Sequence, residues 1–251
     1  MIRFVIFSSY GNDSCALIQW AREWNLEHVA VVYSDTGWAR EGWNDRVVEK
    51  EEWVKSLGFT PHRTTSIGFL ELARRKKAFP TQRYQWCSHV LKIEPAMRWL
   101  EENDPNKSAI CVVGARRAEA APGAVTSRST FPEYLVRSEN HGGRMMLAPM
   151  VDFDVLARDA FLIRAGIKPL EHRSGECKCI NSNKSDMRRF SEGDISTINA
   201  AENEIGRPLY RPSRHMGAVG IYEVLKWAHS ERGKYTPEPE AETCNSGWCE
   251  Q

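Results

Sequence analysis

Three short apolar runs constrain this chain more than anything else in it: residues 2–8 (IRFVIFS), 28–34 (HVAVVYS) and 109–114 (AICVVG). Each ends in turn-forming residues. Runs this short suit strands buried on both faces. Helical periodicity fills the gaps between them. Ala16, Leu17, Trp20, Ala21 and Trp24 follow the first run, and Trp43, Val47, Val48, Val54 and Leu57 follow the second. A further strand is expected near 60–65, with helices over 67–77 and 89–103. Strand–helix alternation of this kind implies right-handed crossovers and a parallel sheet covered on both sides, an α/β Rossmann-like architecture.

The second half is less regular. A hairpin is expected over 134–149 around Gly142-Gly143, and a helix over 152–165 capped by Asp152 or Asp154. Residues 170–190 are polar, carry cysteines and read as irregular. Helices near 192–205 and 217–229 follow, and the Pro- and Glu-rich stretch from Tyr235 reads as a mobile tail. The expected organisation is a nucleotide-binding domain over 1–190 and a helical C-terminal extension over 191–251, within one compact body. The chain has 251 residues, 41% of them hydrophobic, enough for one large core. With 34 basic and 33 acidic residues, global charge argues neither for nor against a nucleic-acid partner. No apolar run reaches the roughly 20 residues that span a bilayer, and cytoplasmic residence is the expectation.

The seven cysteines fall at 15, 87, 111, 177, 179, 244 and 249. An odd count in a chain of this size argues against a disulfide scaffold. Cys15 and Cys111 lie in apolar segments and read as small core residues. The other five stand in polar contexts and suggest metal or redox chemistry.

Ser9-Tyr10-Gly11-Asn12-Asp13-Ser14 joins the first strand to the first helix. Parallel sheets place ligands at the carboxyl ends of their strands, and a helix N-terminus offers unpaired N–H groups to an anion. Gly11 admits close backbone approach. The same spacing also fits a plain strand–turn–helix with Asp13 or Ser14 as N-cap. Ser34-Asp35-Thr36-Gly37, after the second strand, is a turn whose polar groups suit adenine or ribose. Lys92 fits either an anion contact or a solvated helix face. Histidines 89, 172 and 215 read as surface or hydrogen-bonded groups first, and as metal or phosphate contacts second.

The ordered segments resemble a known superfamily. SYGNDS resembles the SxGxDS loop of the PP-loop, or adenine nucleotide alpha-hydrolase, proteins, which include ATP pyrophosphatases and phosphoadenosine phosphosulfate (PAPS) reductases. Asn12 stands where lysine is common. Asp35-Thr36-Gly37 is similar to the reductases' DTG segment. Trp86-Cys87-Ser88 with Lys92 and Pro95 resembles a segment of the DNA phosphorothioation sulfurtransferases (DndC-like). Gly114-Ala115-Arg116-Arg117-Ala118-Glu119 resembles GxRxxES, with Ala120 in place of serine, and Arg128 matches a following arginine. The resemblance implies nucleotide contacts from Ser8, Ser9, Tyr10, Gly11, Asn12, Asp13, Ser14, Ser34, Asp35, Thr36, Gly114, Arg116, Glu119 and Arg128. It implies catalytic roles for Lys92, Arg116 and Asp13.

Arg173-Ser174-Gly175-Glu176-Cys177-Lys178-Cys179 followed by Asn183-Lys184-Ser185 resembles the RxGCxxC and DKS-like segments of the phosphorothioation branch, with a C-x-C pair here. That implies an iron–sulfur (4Fe-4S) cluster on Cys87, Cys177, Cys179 and a fourth ligand such as Cys244, with zinc as the alternative. An adenine nucleotide, as ATP with Mg or as a sulfonucleotide, is the implied ligand. A nucleic-acid or sulfur-donor protein partner and a homodimer are compatible assemblies; a membrane is not. Three functions follow from these readings: adenylation-linked sulfur transfer, sulfonucleotide reduction by a tail thiol such as Cys244 or Cys249, and a non-catalytic nucleotide- or cluster-binding role.

Overall fold

The computed structural model describes residues 1–119, 135–211, 217 and 219–231. Six strands and nine α-helices are found among them. They run β1 (Phe4–Phe7), α1 (Asn12–Glu23), β2 (Val29–Asp35), α2 (Trp43–Ser56), β3 (Thr60–Thr65), α3 (Phe69–Lys76), α4 (Trp86–Ser88), α5 (Glu94–Asn103), β4 (Ile110–Val112), β5 (Val136–Ser138), β6 (Arg144–Leu147), α6 (Val155–Arg164), α7 (Lys184–Arg188), α8 (Glu192–Ile205) and α9 (Ile221–His229).

One sheet forms, in the order β3-β2-β1-β4-β6-β5. Every neighbouring pair is parallel except β5 with β6. The expected mostly parallel α/β sheet is therefore what forms. Period-two alternation sends the strand residues to two cores. Ile6, Val29, Val31, Tyr33 and Val112 face α1, α2 and α6. Val5, Ala30, Val32 and Cys111 face Trp99 and Leu100 of α5. Cys15 and Cys111 are buried core residues, as their settings suggested, and burial pushes their thiols up to about 11 and about 12.

Three local expectations are refined. The helix expected over 89–103 begins at Trp86 and winds as a π-turn over His89–Ile93 before α5. Pro95 has no N–H to return to the carbonyl of Leu91, so a regular α-turn is incomplete there. The irregular stretch 170–190 contains α7, opened by a capping box between Asn183 and Asp186. Of the two candidate caps for α6, Asp154 is the one used, accepting from the Ala157 N–H.

A third core lies beyond the carboxyl rim of β2. Trp38, Phe69, Leu72 and Leu91 pack there against Met187, Phe190, Ile198, Ala201, Ile221 and Val224. The C-terminal helices therefore share apolar contacts with the loops that close one side of the rim. No helix among the described residues is long and apolar enough to cross a membrane.

Candidate functional site

The chain leaves β1 toward β2 on one side of the sheet and returns through β4 on the other, so the strand order reverses between β1 and β4. At such a switch point the loops from two adjacent strands diverge and leave a crevice at their carboxyl ends. Residues 8–11 form one wall and Gly114 to Arg116 the other.

The loop after β1 is built by its own side chains. Ser8 Oγ accepts from the Tyr10 N–H at 3.0 Å, and Ser9 Oγ accepts from the Gly11 N–H at 3.3 Å. These bonds curl the backbone, with Tyr10 at a left-handed φ of 58°. The strain is held by burial: the Tyr10 ring is fully buried and stacks on Tyr33 at 5.8 Å. Burial drives both phenols well above their usual pKa. The Ser14 hydroxyl donates to the Gly11 carbonyl at 3.3 Å. Gly11 is the N-cap of α1, and no side chain caps this end. The first-turn N–H groups, which have no intrahelical acceptor, therefore close at the switch point with their positive end outward.

On the facing wall, Gly114 packs beside the first turn of α1; a Cβ there would lie 3.6 Å from the Asp13 carbonyl oxygen. Arg116, 1% exposed, donates Nε to Asp13 Oδ1 at 2.7 Å. Arg158 of α6 approaches the same oxygen at 3.7 Å. Asp13 is thus held between two buried guanidinium groups. The Arg46 Nε of α2 donates to the Tyr10 carbonyl at 2.9 Å. Asn12 turns away from the crevice: its amide donates to the Leu170 carbonyl at 2.9 Å and accepts the Leu170 N–H at 2.8 Å.

Leu170 opens a segment, 170–181, that crosses the rim as a strap. Ser174 lies against the loop, its Cβ 3.1 Å from where a Cβ on Gly11 would be. The Arg40 N–H donates to the Gly175 carbonyl at 2.8 Å, and the Lys178 N–H to the Trp38 carbonyl at 2.9 Å. Thr36 Oγ1 donates to the Glu176 carbonyl at 3.1 Å, and the Trp38 indole N–H to the Lys178 carbonyl at 3.1 Å. The strap is therefore stitched to residues 36–40, just past β2. Asp35 accepts the Gly37 N–H at 2.8 Å and so shapes its own turn, while Ser34 donates to the Lys92 carbonyl at 3.4 Å.

Lys92 faces inward from the π-turn. Its ammonium donates to Glu176 Oε1 at 2.6 Å, with the two side chains 8% and 5% exposed. Lys178, whose ammonium burial disfavours, lies 3.6 Å from Asp194. A narrow pocket opens between strap and π-turn, and Trp38, Phe69, Lys92, Cys87, Cys177 and Cys179 line it. Cys177 and Cys179 also line a smaller pocket with Arg40, Arg173 and Ser174. Three thiols around one pocket are a donor set that zinc or an iron–sulfur cluster accepts. Among the described residues, however, no three His, Cys, Asp or Glu side chains stand close enough to hold an ion. Cys244 and Arg128 lie outside the described residues, as do the Glu119 side chain, Ala120, His215 and Cys249.

Four residues escaped the sequence reading. Arg158 sits one helical turn before buried Leu162, so its place on the buried face of α6 was visible in the spacing. Arg46 follows Trp43 by three residues on α2 in the same way. Ser174 and Glu176 carried no such signal, because the strap has no periodicity.

The sequence profile of the phosphoadenosine phosphosulfate reductase domain matches residues 3–171. The match stops before Ser174, Glu176 and the Cys177–Cys179 pair. No curated protein matches the sequence. Among solved structures, phosphoadenylyl-sulfate (PAPS) reductase from Candida auris in a phosphate complex is similar at 15% identity and a TM-score of 0.48, over 68% of this chain and 76% of that one. NMN synthetase from Francisella tularensis is similar at 12% identity and a TM-score of 0.45, over 90% and 83%.

Proposed function

The chain belongs to the phosphoadenosine phosphosulfate reductase domain family, an enzyme family of sulfonucleotide-related chemistry, and from that premise we propose that it is an enzyme that binds ATP in the crevice between β1 and β4 and adenylates a substrate oxygen ahead of sulfur transfer. One observation carries this reading: the N-terminus of α1, bare of any side-chain cap, opens at the reversal of strand order. Oriented N–H groups and a helix dipole stabilise phosphate there without reorganising. In the adenylation step an acceptor oxygen attacks the α-phosphorus and pyrophosphate leaves. Arg116, held on Asp13, and Arg158, held on Asp159 and 3.7 Å from Asp13, would offset charge that develops on the leaving group. The Ser34–Thr36 turn suits the nucleoside.

A cluster on Cys87, Cys177 and Cys179 would supply electron transfer or sulfur activation when bound. The adenylation step needs none of it. A second reading, thiol-dependent reduction of a sulfonucleotide, is favoured by the three thiols that line one pocket beside Lys92.

Calorimetric titration with Mg-ATP tests binding, and the products separate the two readings. Pyrophosphate release that depends on an acceptor supports adenylation. Sulfite release from a sulfonucleotide with a thiol reductant supports reduction. Nucleotide binding with neither product supports the non-catalytic role.

A further inference from the structure

The charges on the two sides of the rim are arranged differently. On the α1 side the buried guanidinium groups are paired too, Arg116 with Asp13 at 2.7 Å and Arg158 with Asp159 at 2.7 Å, but the tip of α1 carries no side-chain cap and leaves its first-turn N–H groups open. On the β2 side, each buried lysine already has a carboxylate. Lys92 holds Glu176 at 2.6 Å, and Lys178 lies 3.6 Å from Asp194. Asp35 adds a third carboxylate at the same strand end.

The backbone that carries Glu176 is fixed to the β2 rim. Its carbonyl accepts from Thr36, the preceding Gly175 carbonyl accepts from the Arg40 N–H, and the Lys178 N–H, two positions on, donates to Trp38. The carboxylate is therefore presented by backbone stitched to the β2 rim. An anion brought to Lys92 would meet that fixed negative charge in a site almost closed to water, where like charges are screened least.

Resting on the nucleotide reading above, we propose that Glu176 is a specificity-determining residue: its buried pair with Lys92 leaves the β2 side of the site without a receptor for sulfate, so the enzyme takes adenine nucleotides whose anionic groups all lie on the α1 tip and discriminates against those carrying a sulfate to Lys92. The substrate class is then ATP or another adenosine phosphate, not a sulfonucleotide. The Lys92 ammonium acts through Glu176 to hold the strap shut.

Calorimetric titration with AMP, ATP and adenosine 5′-phosphosulfate tests this on the full chain. Wild type is expected to bind the phosphosulfate no more tightly than AMP. Glu176→Gln removes the carboxylate charge that faces the ammonium, and should tighten the phosphosulfate by about tenfold or more while moving AMP by less than about threefold. Wild type that binds the phosphosulfate about tenfold tighter than AMP overturns the proposal even if the variant fails to fold. A folded Glu176→Gln that shifts both ligands alike, or neither, also overturns it and leaves the nucleotide reading standing. A wild type that binds none of the three nucleotides removes the nucleotide reading and this proposal together.

Discussion

The loop after β1 and the strap over 170–181 meet at the same rim, and they are held in place by opposite means. The loop is a local object. Ser8, Ser9 and Ser14 shape it through bonds spanning two or three residues, and α1 follows directly. The strap has almost no internal order. Its place is set by Leu170 on Asn12, Glu176 on Lys92, and backbone bonds to Thr36, Trp38 and Arg40. A local motif can be read from a dozen consecutive residues, while the strap is placed by partners 84 to 158 positions away. On the proposed reading the loop would offer helix dipoles to an anion, while the strap carries thiols and a carboxylate.

Substitutions can break this contrast, and the largest effect is expected in the strap. Lys92→Met leaves the Glu176 carboxylate buried without its ammonium and should cost about 3–5 kcal/mol in urea unfolding. The double variant Lys92→Met, Glu176→Leu should regain most of that. If the single and double variants unfold alike, charge pairing does not hold the strap. Next comes Gly11→Val in the loop. A Cβ at Gly11 already sits 3.1 Å from Ser174 Cβ and 3.3 Å from Ser9 Oγ. The branched side chain should push loop and strap apart and weaken ATP binding about a hundredfold, roughly 2.7 kcal/mol, by titration. Unchanged affinity would place the nucleotide elsewhere.

Asn12→Ala removes both bonds to Leu170, the stitch between the two regions. It should cost about 1–3 kcal/mol and raise amide hydrogen exchange at residue 170 while leaving the amides of β1 protected. Exchange rising equally in both would show that the regions are one cooperative unit. The smallest effect sharpens the contrast by lying outside it. Ser191 caps α8 by accepting from the Asp194 N–H, and Ser191→Ala should cost about 1 kcal/mol with ATP affinity unchanged.

Sheet and loop were legible for the same reason. The runs at 2–8, 28–34 and 109–114 became β1, β2 and β4, with ends moved by a residue or two, and the helix expected near 192–205 is α8. The edge was harder. The hairpin around Gly142-Gly143 was visible, but its return strand, β6, pairs parallel with β4, and nothing within the hairpin encodes that. At the site, the family resemblance marked Lys92 and Arg116 as candidates. It gave no hint that Lys92 is closed by Glu176 or Arg116 by Asp13.

By itself, then, the sequence determined the elements and the turn after β1, because hydrophobic periodicity, turn chemistry and helix ends act over a few residues. Only the tertiary structure decided which charges are spoken for. Ion pairs and strap contacts depend on distance in space, and in a desolvated rim a single partner reverses what a lysine offers to a ligand.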